Sequence, residues 1–359
     1  PVPDASPRGP VRVERLCTAE AALDLLEARA REGAACIWIR NAVDDVMSGA
    51  DRLRARGLDV DILHARFALS DRKRHEAAAL RRFGKARDGG AGRILLSSQV
   101  AEMSLDLDLD CMVSDLAPMA ALIQRAGRLW RHMDRRPRDA RPVPGPVLHV
   151  VAPDPDDVSD DAWLHGALDR GAWTYDVAVQ WRTARILFDA GAIDAPGGLR
   201  ALIEAVHGAE AIEVPGALVE AEMAVLGEGY VHRAHAVQNL IEWDAGYRAG
   251  AGADDDADFP TRLGREERTL ALARRRGDGL DAWAGGTDAE AWMLSELRAA
   301  ERKLRGLVLP DQGAPGITTL KADWPDWRRA AVTVCPVDED GAICAGLSYD
   351  PAVGLQFGR

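Results

Sequence analysis

Gln124, Arg125, Gly127, Arg128 and Arg131 form the pattern Q-R-x-G-R-x-x-R, the stretch of this chain best equipped for chemistry. Arg125, Arg128 and Arg131 are spaced three apart, and on a helix such residues share a face. A guanidinium is always charged and forks onto oxyanions, so three on one face would suit a polyphosphate. Gly127 has no side chain and lets a neighbour approach the backbone closely. The bland alternative is a solvated basic face at a helix C-terminus, where cations are favoured anyway. A second stretch upstream, Ser98-Gln99-Val100-Ala101-Glu102-Met103-Ser104-Leu105-Asp106-Leu107-Asp108, weighs against the bland alternative.

The elements that must position these residues follow from the apolar pattern. Strands are expected at 11–13, 34–39, 60–63, 93–97, 111–114 and 147–151. Helices are expected over 19–31 with Thr18 as N-cap, 43–56 ended by Gly57, 70–83 capped by Ser70, and 118–128. Ala34 to Ile39 is wholly apolar, as a strand buried on both faces should be. Repeated strand–helix alternation predicts an α/β fold, a parallel sheet with helices on both faces. Ligands meet such sheets at the carboxyl ends of the strands. Asn41, His64, Arg66, Phe67, Ser98 and Gln99 all follow strands directly.

The two arginine- and aspartate-bearing stretches together resemble motifs V and VI of a superfamily 2 helicase. Their wording is similar to the CRISPR-associated helicase–nuclease family of type I interference, in which motif VI reads roughly LxQRxGRxxRH; here it is Leu122 to His132. Ser98 stands where that family has Thr and keeps the hydroxyl, whereas Met103 replaces a Gln and loses an amide. Ile37 to Val43 resembles motif IV, with Asn41 the matched residue, and Leu63-His64-Ala65-Arg66-Phe67 resembles motif IVa. The resemblance implies a second RecA-like motor domain over residues 11–151. It implies Arg128 and Arg131 as arginine fingers, and Gln124 near the γ-phosphate or its attacking water. Arg125 would couple motif VI to the opposite domain, Asp106 would contact the nucleotide sugar or pair with the motif VI arginines, and Gly127 and Asp108 would serve the nucleotide. Asn41, His64, Arg66, Ser98 and Gln99 would contact a DNA strand. Asp71 and Arg72 match the family too, but Asp71 also suits a helix N-terminus for its charge alone.

Composition bounds the rest. The chain has 359 residues and a net charge of −12. Residues 1–142 hold 25 Lys+Arg against 21 Asp+Glu, and residues 143–359 hold 20 against 36. Phosphate contact needs local positive charge, so the first part is the better candidate for nucleic acid. No apolar run is long enough for a membrane span, and residues 1–10 read as a Pro-rich linker without a signal-peptide core. Five cysteines without a CxxC or metal-like pairing read as reduced thiols of a cytoplasmic protein. Residues 152–210 read as a helical linker region and 211–359 as an accessory domain, making the C-terminal region mixed and mainly helical. Trp173, Val177, Trp181, Ala184 and Leu187 form a packing stripe there. A helix over 219–225, an acidic loop at 251–258, a helix over 289–303 and short strands after 330 complete it. The segment Asp338-Glu339-Asp340-Gly341 reads as a hairpin loop, not as an ATPase DExx box.

The sequence contains no G-x-x-x-x-G-K-[ST] and no His followed by Asp. The expectation is a motor half-site: ATP with Mg2+ held by a first motor domain, single-stranded DNA as the 3′-to-5′ track, an HD nuclease domain and the CRISPR surveillance complex as partners. The alternatives are a non-catalytic interaction module with a vestigial helicase domain, or a fragment of a DEAH-type RNA helicase. The chain by itself is expected to hydrolyse no ATP, since nothing in it cradles the phosphates. Turnover by the purified chain that disappears in Arg128→Ala would overturn that expectation.

Overall fold

A computed structural model describes residues 6–87, 92–103, 105–238, 266–277 and 279–358. Ser104, the acidic loop at 251–258 and the segment Thr261-Arg262-Leu263-Gly264 lie outside the described residues. The chain divides into two compact units, one of residues 1–65 and 72–223, the other of residues 66–71 and 224–359.

The first unit is built as β1 (Val11–Leu16), α1 (Ala19–Arg31), β2 (Ala35–Ile39), α2 (Val43–Ala55), β3 (Val60–Leu63), α3 (Leu69–Phe83), β4 (Arg93–Ser97), α4 (Val100–Met103), β5 (Cys111–Asp115), α5 (Met119–Ala126) and β6 (Val147–Val151). It continues through α6 (His165–Leu168), α7 (Val177–Ala190), β7 (Ala192–Ile193) and α8 (Leu199–His207) into α9 (Val219–Gln238), within which the division falls. Seven strands form one sheet in the order β3-β4-β2-β5-β6-β1-β7, parallel except for β7. Every residue of β2 and β5 is buried, as expected of central parallel strands, although β5 ends on the polar Ser114 and Asp115. Thr18 caps α1, its Oγ1 accepting from Ala21 N at 3.2 Å. Gly57 takes φ +78° after α2, a conformation other residues rarely adopt.

Several boundaries move. Ser70 is not a cap, because α3 already begins at Leu69. The helix expected to reach Arg128 ends at Ala126, with Gly127 as its C-cap. Residues 6–10 are fastened: Ser6 N donates to Ala195 O at 3.2 Å, and the Arg8 guanidinium donates to Leu129 O. Trp181, Ala184 and Leu187 are buried on α7, but Trp173 ends a 3-10 turn and is 55% exposed.

The carboxyl edge of the sheet is organised by Asp115 at the end of β5. Its Oδ1 accepts from Trp38 Nε1 at 3.0 Å, and its Oδ2 accepts from Arg40 Nε and Asn41 N, each at 3.0 Å. Arg40 also pairs with Asp45 and Asp169 at 3.7 Å each. Asp45 Oδ2 accepts from Gly171 N at 2.8 Å, which pins residues 169–175 against this edge. A Cβ on Gly171 would sit 3.1 Å from Asn41 Cβ and 3.2 Å from two carboxylate oxygens, so the seat is tight.

The second unit takes up residues 66–71 and continues, after α9, with β8 (Glu267–Arg276), β9 (Gly279–Ala282), α10 (Ala289–Leu294), β10 (Glu296–Ala300), α11 (Glu301–Leu304), α12 (Pro315–Lys321), α13 (Asp326–Ala331), β11 (Val332–Val337), β12 (Ala342–Cys344), β13 (Leu347–Asp350) and β14 (Gly354–Phe357). The expected helix over 289–303 is interrupted. Ser295 Oγ donates to Ala291 O at 2.7 Å and accepts from Ala284 N at 2.9 Å, after which Glu296–Ala300 pairs antiparallel with β8. Pairing across the sheet overrides a helix-like sequence there. The helix expected at 219–225 instead runs on to Gln238. Gly341, at φ +85°, closes the tight turn after Val337. Asp71 Oδ2 accepts from Tyr349 Oη at 2.6 Å and from Trp283 Nε1 at 2.9 Å, so this family-matched aspartate does more than charge a helix end.

Two buried titratable groups set opposing pH slopes in the first unit. Burial pushes the Asp45 carboxyl up to about 6 against the pull of Arg40, and pushes the His149 imidazole down to about 4 against the pull of Glu14. Asp45 therefore contributes stability fully below about 3.8, and that contribution is lost as pH rises through about 6. His149 contributes above about 6.5 and loses its contribution as pH falls through about 4. Relative to the parent chain, His149→Gln should gain up to about 2 kcal/mol on moving from about pH 6.5 to about pH 4.5, and Asp45→Asn should gain similarly in the reverse direction. Urea denaturation at the two pH values checks both signs.

Candidate functional site

The site grows from two turns held side by side, one after α4 and one after α5. The first carries Leu105, Leu107 and Leu109, all buried, alternating with aspartates. Leu109 N donates to Arg128 O at 3.1 Å and Trp130 N donates to Leu109 O at 3.0 Å, which latches the second turn to the first. Trp130 takes φ +48°, unusual for a bulky residue, and is fully buried. Its ring lies under the guanidiniums of Arg138 and Arg141, each 5.0 Å from the centroid.

The three motif arginines do not share a helix face, because α5 stops at Ala126 and the chain turns at Trp130. Arg125 points inward with 0% exposure. Its Nε donates to Glu102 Oε1 at 2.7 Å, and Nη1 donates to Ser114 Oγ at 2.7 Å and Asp115 O at 3.0 Å. It ties α5 to α4 and β5. Arg128 is intermediate: Nη2 donates to Glu102 O at 2.8 Å, while Nε is buried and makes no hydrogen bond. Burial, and then the charge of Arg131, lowers the Arg128 pKa. Arg131 faces outward at 42% exposure and pairs with Asp106 Oδ1 at 2.8 Å, an oxygen also 3.0 Å from His132 Nε2. Gln124 is exposed. Gly127 has ordinary helical φ and ψ, and a Cβ there would meet Gln124 O at 3.0 Å, so the crowding comes from its own helix.

Asp106 and Asp108 part company. Asp106 is exposed, whereas Asp108 is 1% exposed and its carboxylate is taken up inside the fold. Arg141 Nη2 donates to Asp108 Oδ1 at 3.0 Å and Oδ2 at 3.1 Å, and His132 N donates to Oδ1 at 3.2 Å. Asp110 is buried beside it and receives Arg87 Nη2 at 2.8 Å, Arg136 Nη1 at 2.9 Å, Arg141 Nη1 at 3.0 Å and Ala35 N at 3.0 Å. Burial raises the Asp110 pKa more than these partners lower it. Asp108 is thus enclosed and cannot reach a nucleotide without leaving Arg141. Arg87, Arg136 and Arg141 escaped the motif reading. The one signal for them is the L-D-L-D-L-D alternation, which sets three carboxylates on one side and so demands cations there.

The strand-contact candidates also divide. His64 is 0% exposed, and Asn41 and Ser98 are buried. Asn41 Nδ2 donates to Leu116 O at 2.7 Å, turning the amide inward, although its Oδ1 makes no hydrogen bond. Ser98 N donates to Leu63 O at 3.0 Å. Gln99 is half-buried, its Nε2 donating to Asn41 O at 3.0 Å and Tyr175 Oη at 3.3 Å. Arg66 is half-buried in the second unit, its guanidinium 5.4 Å from the Phe357 ring centroid and its carbonyl accepting from Leu355 N at 2.9 Å. His64, Asn41 and Ser98 thus expose little side-chain surface.

Residues 32–134 match the family described as CRISPR-associated nuclease/helicase Cas3, C-terminal. Over those residues the chain is similar to the C-terminal part of Cas3. The CRISPR-associated endonuclease/helicase Cas3 of Escherichia coli (strain K12) is 34% identical over 187 residues, covering 49% of this chain and 20% of that protein. The solved structure of T. fusca Cas3-ATP aligns with a TM-score of 0.74 at 23% identity, over 99% of this chain and 44% of that one. A chain of a CRISPR RNA-guided surveillance complex in a pre-nicking state aligns with a TM-score of 0.69 at 22% identity, over 98% of this chain and 45% of that one. The chain thus spans less than half the length of these Cas3 relatives. Its sheet, parallel but for β7 and flanked by helices, matches the RecA-like fold of the Cas3 structures. Among the described residues no helix is long and apolar enough to cross a membrane.

The burial contrast between two arginines of the same motif yields a stability test. Arg125→Ala leaves Glu102 unpaired beneath α5 and should cost about 3–5 kcal/mol. Arg131→Ala removes an exposed pair and should cost less than about 1 kcal/mol. Equal losses in urea denaturation would mean the inward placement of Arg125 is wrong.

Proposed function

We propose that this chain supplies one wall of a composite ATP site in a CRISPR interference motor. Arg128 and Arg131 meet the terminal phosphates of ATP held by a first motor domain, and Gln124 stands beside them toward the attacking water. The supporting observation is the latched turn after α5, which leaves Arg131 at the surface and Arg128 with an unused buried N–H, while Arg125 is spent on the fold. An outward guanidinium paired only with a half-exposed carboxylate can exchange that partner for a phosphate at low cost. In the transition state of phosphoryl transfer such groups meet charge as it develops. Asp106 holds Arg131 until nucleotide arrives. Magnesium carried by the first motor domain neutralises part of the phosphate charge when bound.

The track is single-stranded DNA, followed 3′ to 5′ after target capture by the CRISPR surveillance complex, whose guide pairing displaces one strand. Gln99 contributes its side chain to the grip, and Arg66 is a separate candidate contact in the second unit. Asn41, His64 and Ser98 act from below it by shaping the backbone at the strand ends. An HD nuclease domain acts on the strand that is drawn through, giving antiviral defence in the cytoplasm.

Reconstitution with a first motor domain, in cis or in trans, tests this. ATP hydrolysis stimulated by single-stranded DNA is expected, and Arg128→Ala or Arg131→Ala should lower kcat on the order of 10^3-fold with KM little changed. Retained kcat in both variants would sink the proposal. Stimulation by RNA in place of DNA would favour a DEAH-type RNA helicase, and partner binding with no hydrolysis would favour a non-catalytic module.

A further inference from the structure

Arg8 lies in the Pro-rich N-terminal stretch, outside every helicase motif, yet its side chain ends on the motif VI turn. The guanidinium donates through Nη1 to Leu129 O, the carbonyl between Arg128 and the strained Trp130. Its own carbonyl accepts from Arg138 Nη2 at 3.4 Å. The Nε of Arg8 is buried and makes no hydrogen bond, and the same holds for the Nε of Arg128. Among the described residues neither Arg8 nor Arg128 forms an ion pair, and Arg131 shares its one carboxylate, Asp106, with His132. Burial first, and then the charge of Arg131, lowers the pKa of Arg8, as it does that of Arg128. Three guanidiniums therefore crowd one place with too little negative charge to balance them and with two idle donors. Such an arrangement is costly unless an anion completes it.

We infer that Arg8 is the third guanidinium of an oxyanion site shared with Arg128 and Arg131, and that this site takes a di- or triphosphate group. The inference deepens the proposed nucleotide-facing role of Arg128 and Arg131 and rests on it. Arg8 acts in two ways. Its bond to Leu129 O sets the turn that presents Arg128 and Arg131, which makes it a positioning residue, and its charge adds to the pull on the anion. The chemistry recognised is the polyphosphate itself, whether free pyrophosphate or the tail of a nucleoside triphosphate.

Calorimetric titration of the purified chain at low ionic strength with sodium pyrophosphate, and separately with ATP, is the test. Weak binding is expected, with ATP within about threefold of pyrophosphate because no residue of the cluster reads a base. Arg8→Gln should weaken pyrophosphate binding about tenfold, and Arg8→Lys, which keeps a charge and a donor, should stay within about threefold of the parent. Arg8→Met, which keeps the packing of the stem, carries the same expectation as Arg8→Gln and replaces it should that variant not fold. Unchanged binding in Arg8→Gln or Arg8→Met overturns the inference, as does failure of the parent chain to bind pyrophosphate. An ATP affinity far above that for pyrophosphate and indifferent to Arg8 also overturns it. The helicase reading fails separately: Arg8-dependent binding without DNA-stimulated hydrolysis in the reconstituted motor would sink that reading and leave the oxyanion site standing.

Discussion

Two carboxylates buried side by side, Asp108 and Asp110, are the constraint around which the motif region is arranged. A buried charge left without partners costs several kcal/mol. Arg87 from one stretch of chain, and Arg136 and Arg141 from the loop before β6, converge on them. Such a cluster adds little net stability over a hydrophobic equivalent, but removing any one partner strands the others. Its consequence is registry: the aspartate-bearing turn and the arginine-bearing turn can sit together in one way only. Trp130, stacked under Arg138 and Arg141 with its backbone bonded to Leu109, seals the same seam.

From that seam follows the division of labour among arginines that look alike in sequence. Arg125 is drawn inward because Glu102, Ser114 and the Asp115 carbonyl offer it acceptors in a place without water. Arg131, six residues on and past the reversal at Trp130, is left at the surface with a partner it can release. A buried guanidinium with all its acceptors inside the fold is scaffolding, and an exposed one with a single carboxylate is available to a ligand. Arg128 stands between, half-buried, with one donor spent and one idle.

At the carboxyl edge of the sheet the same economy of polar groups holds. Asp115 gathers Trp38, Arg40 and the Asn41 backbone, and Asp45 fastens Gly171 over them. The edge where ligands usually meet such sheets is thus partly covered by the chain's own residues 169–175, with Thr174 Oγ1 on Asn41 O at 3.2 Å and Gln99 on Tyr175.

The sequence by itself determined the parallel sheet, the place of its strands and the identity of the motif residues. A strand buried on both faces is mostly apolar and a helix must repeat its apolar face, so β2, β3, β4 and β6 were legible to within a residue. Which way each polar side chain turns was decided only by the tertiary structure. Spacing places Arg125, Arg128 and Arg131 in line only if one helix continues through all three, and the latch to Leu109 forbids that. Spacing likewise cannot tell Asp106 from Asp108, because what separates them is Arg141, more than thirty residues away and brought close only by folding. Helical spacing over 289–303 also yielded to a partner strand distant in sequence. A charged group takes its role from the company it finds, and that company is assembled from parts of the chain that local pattern does not see.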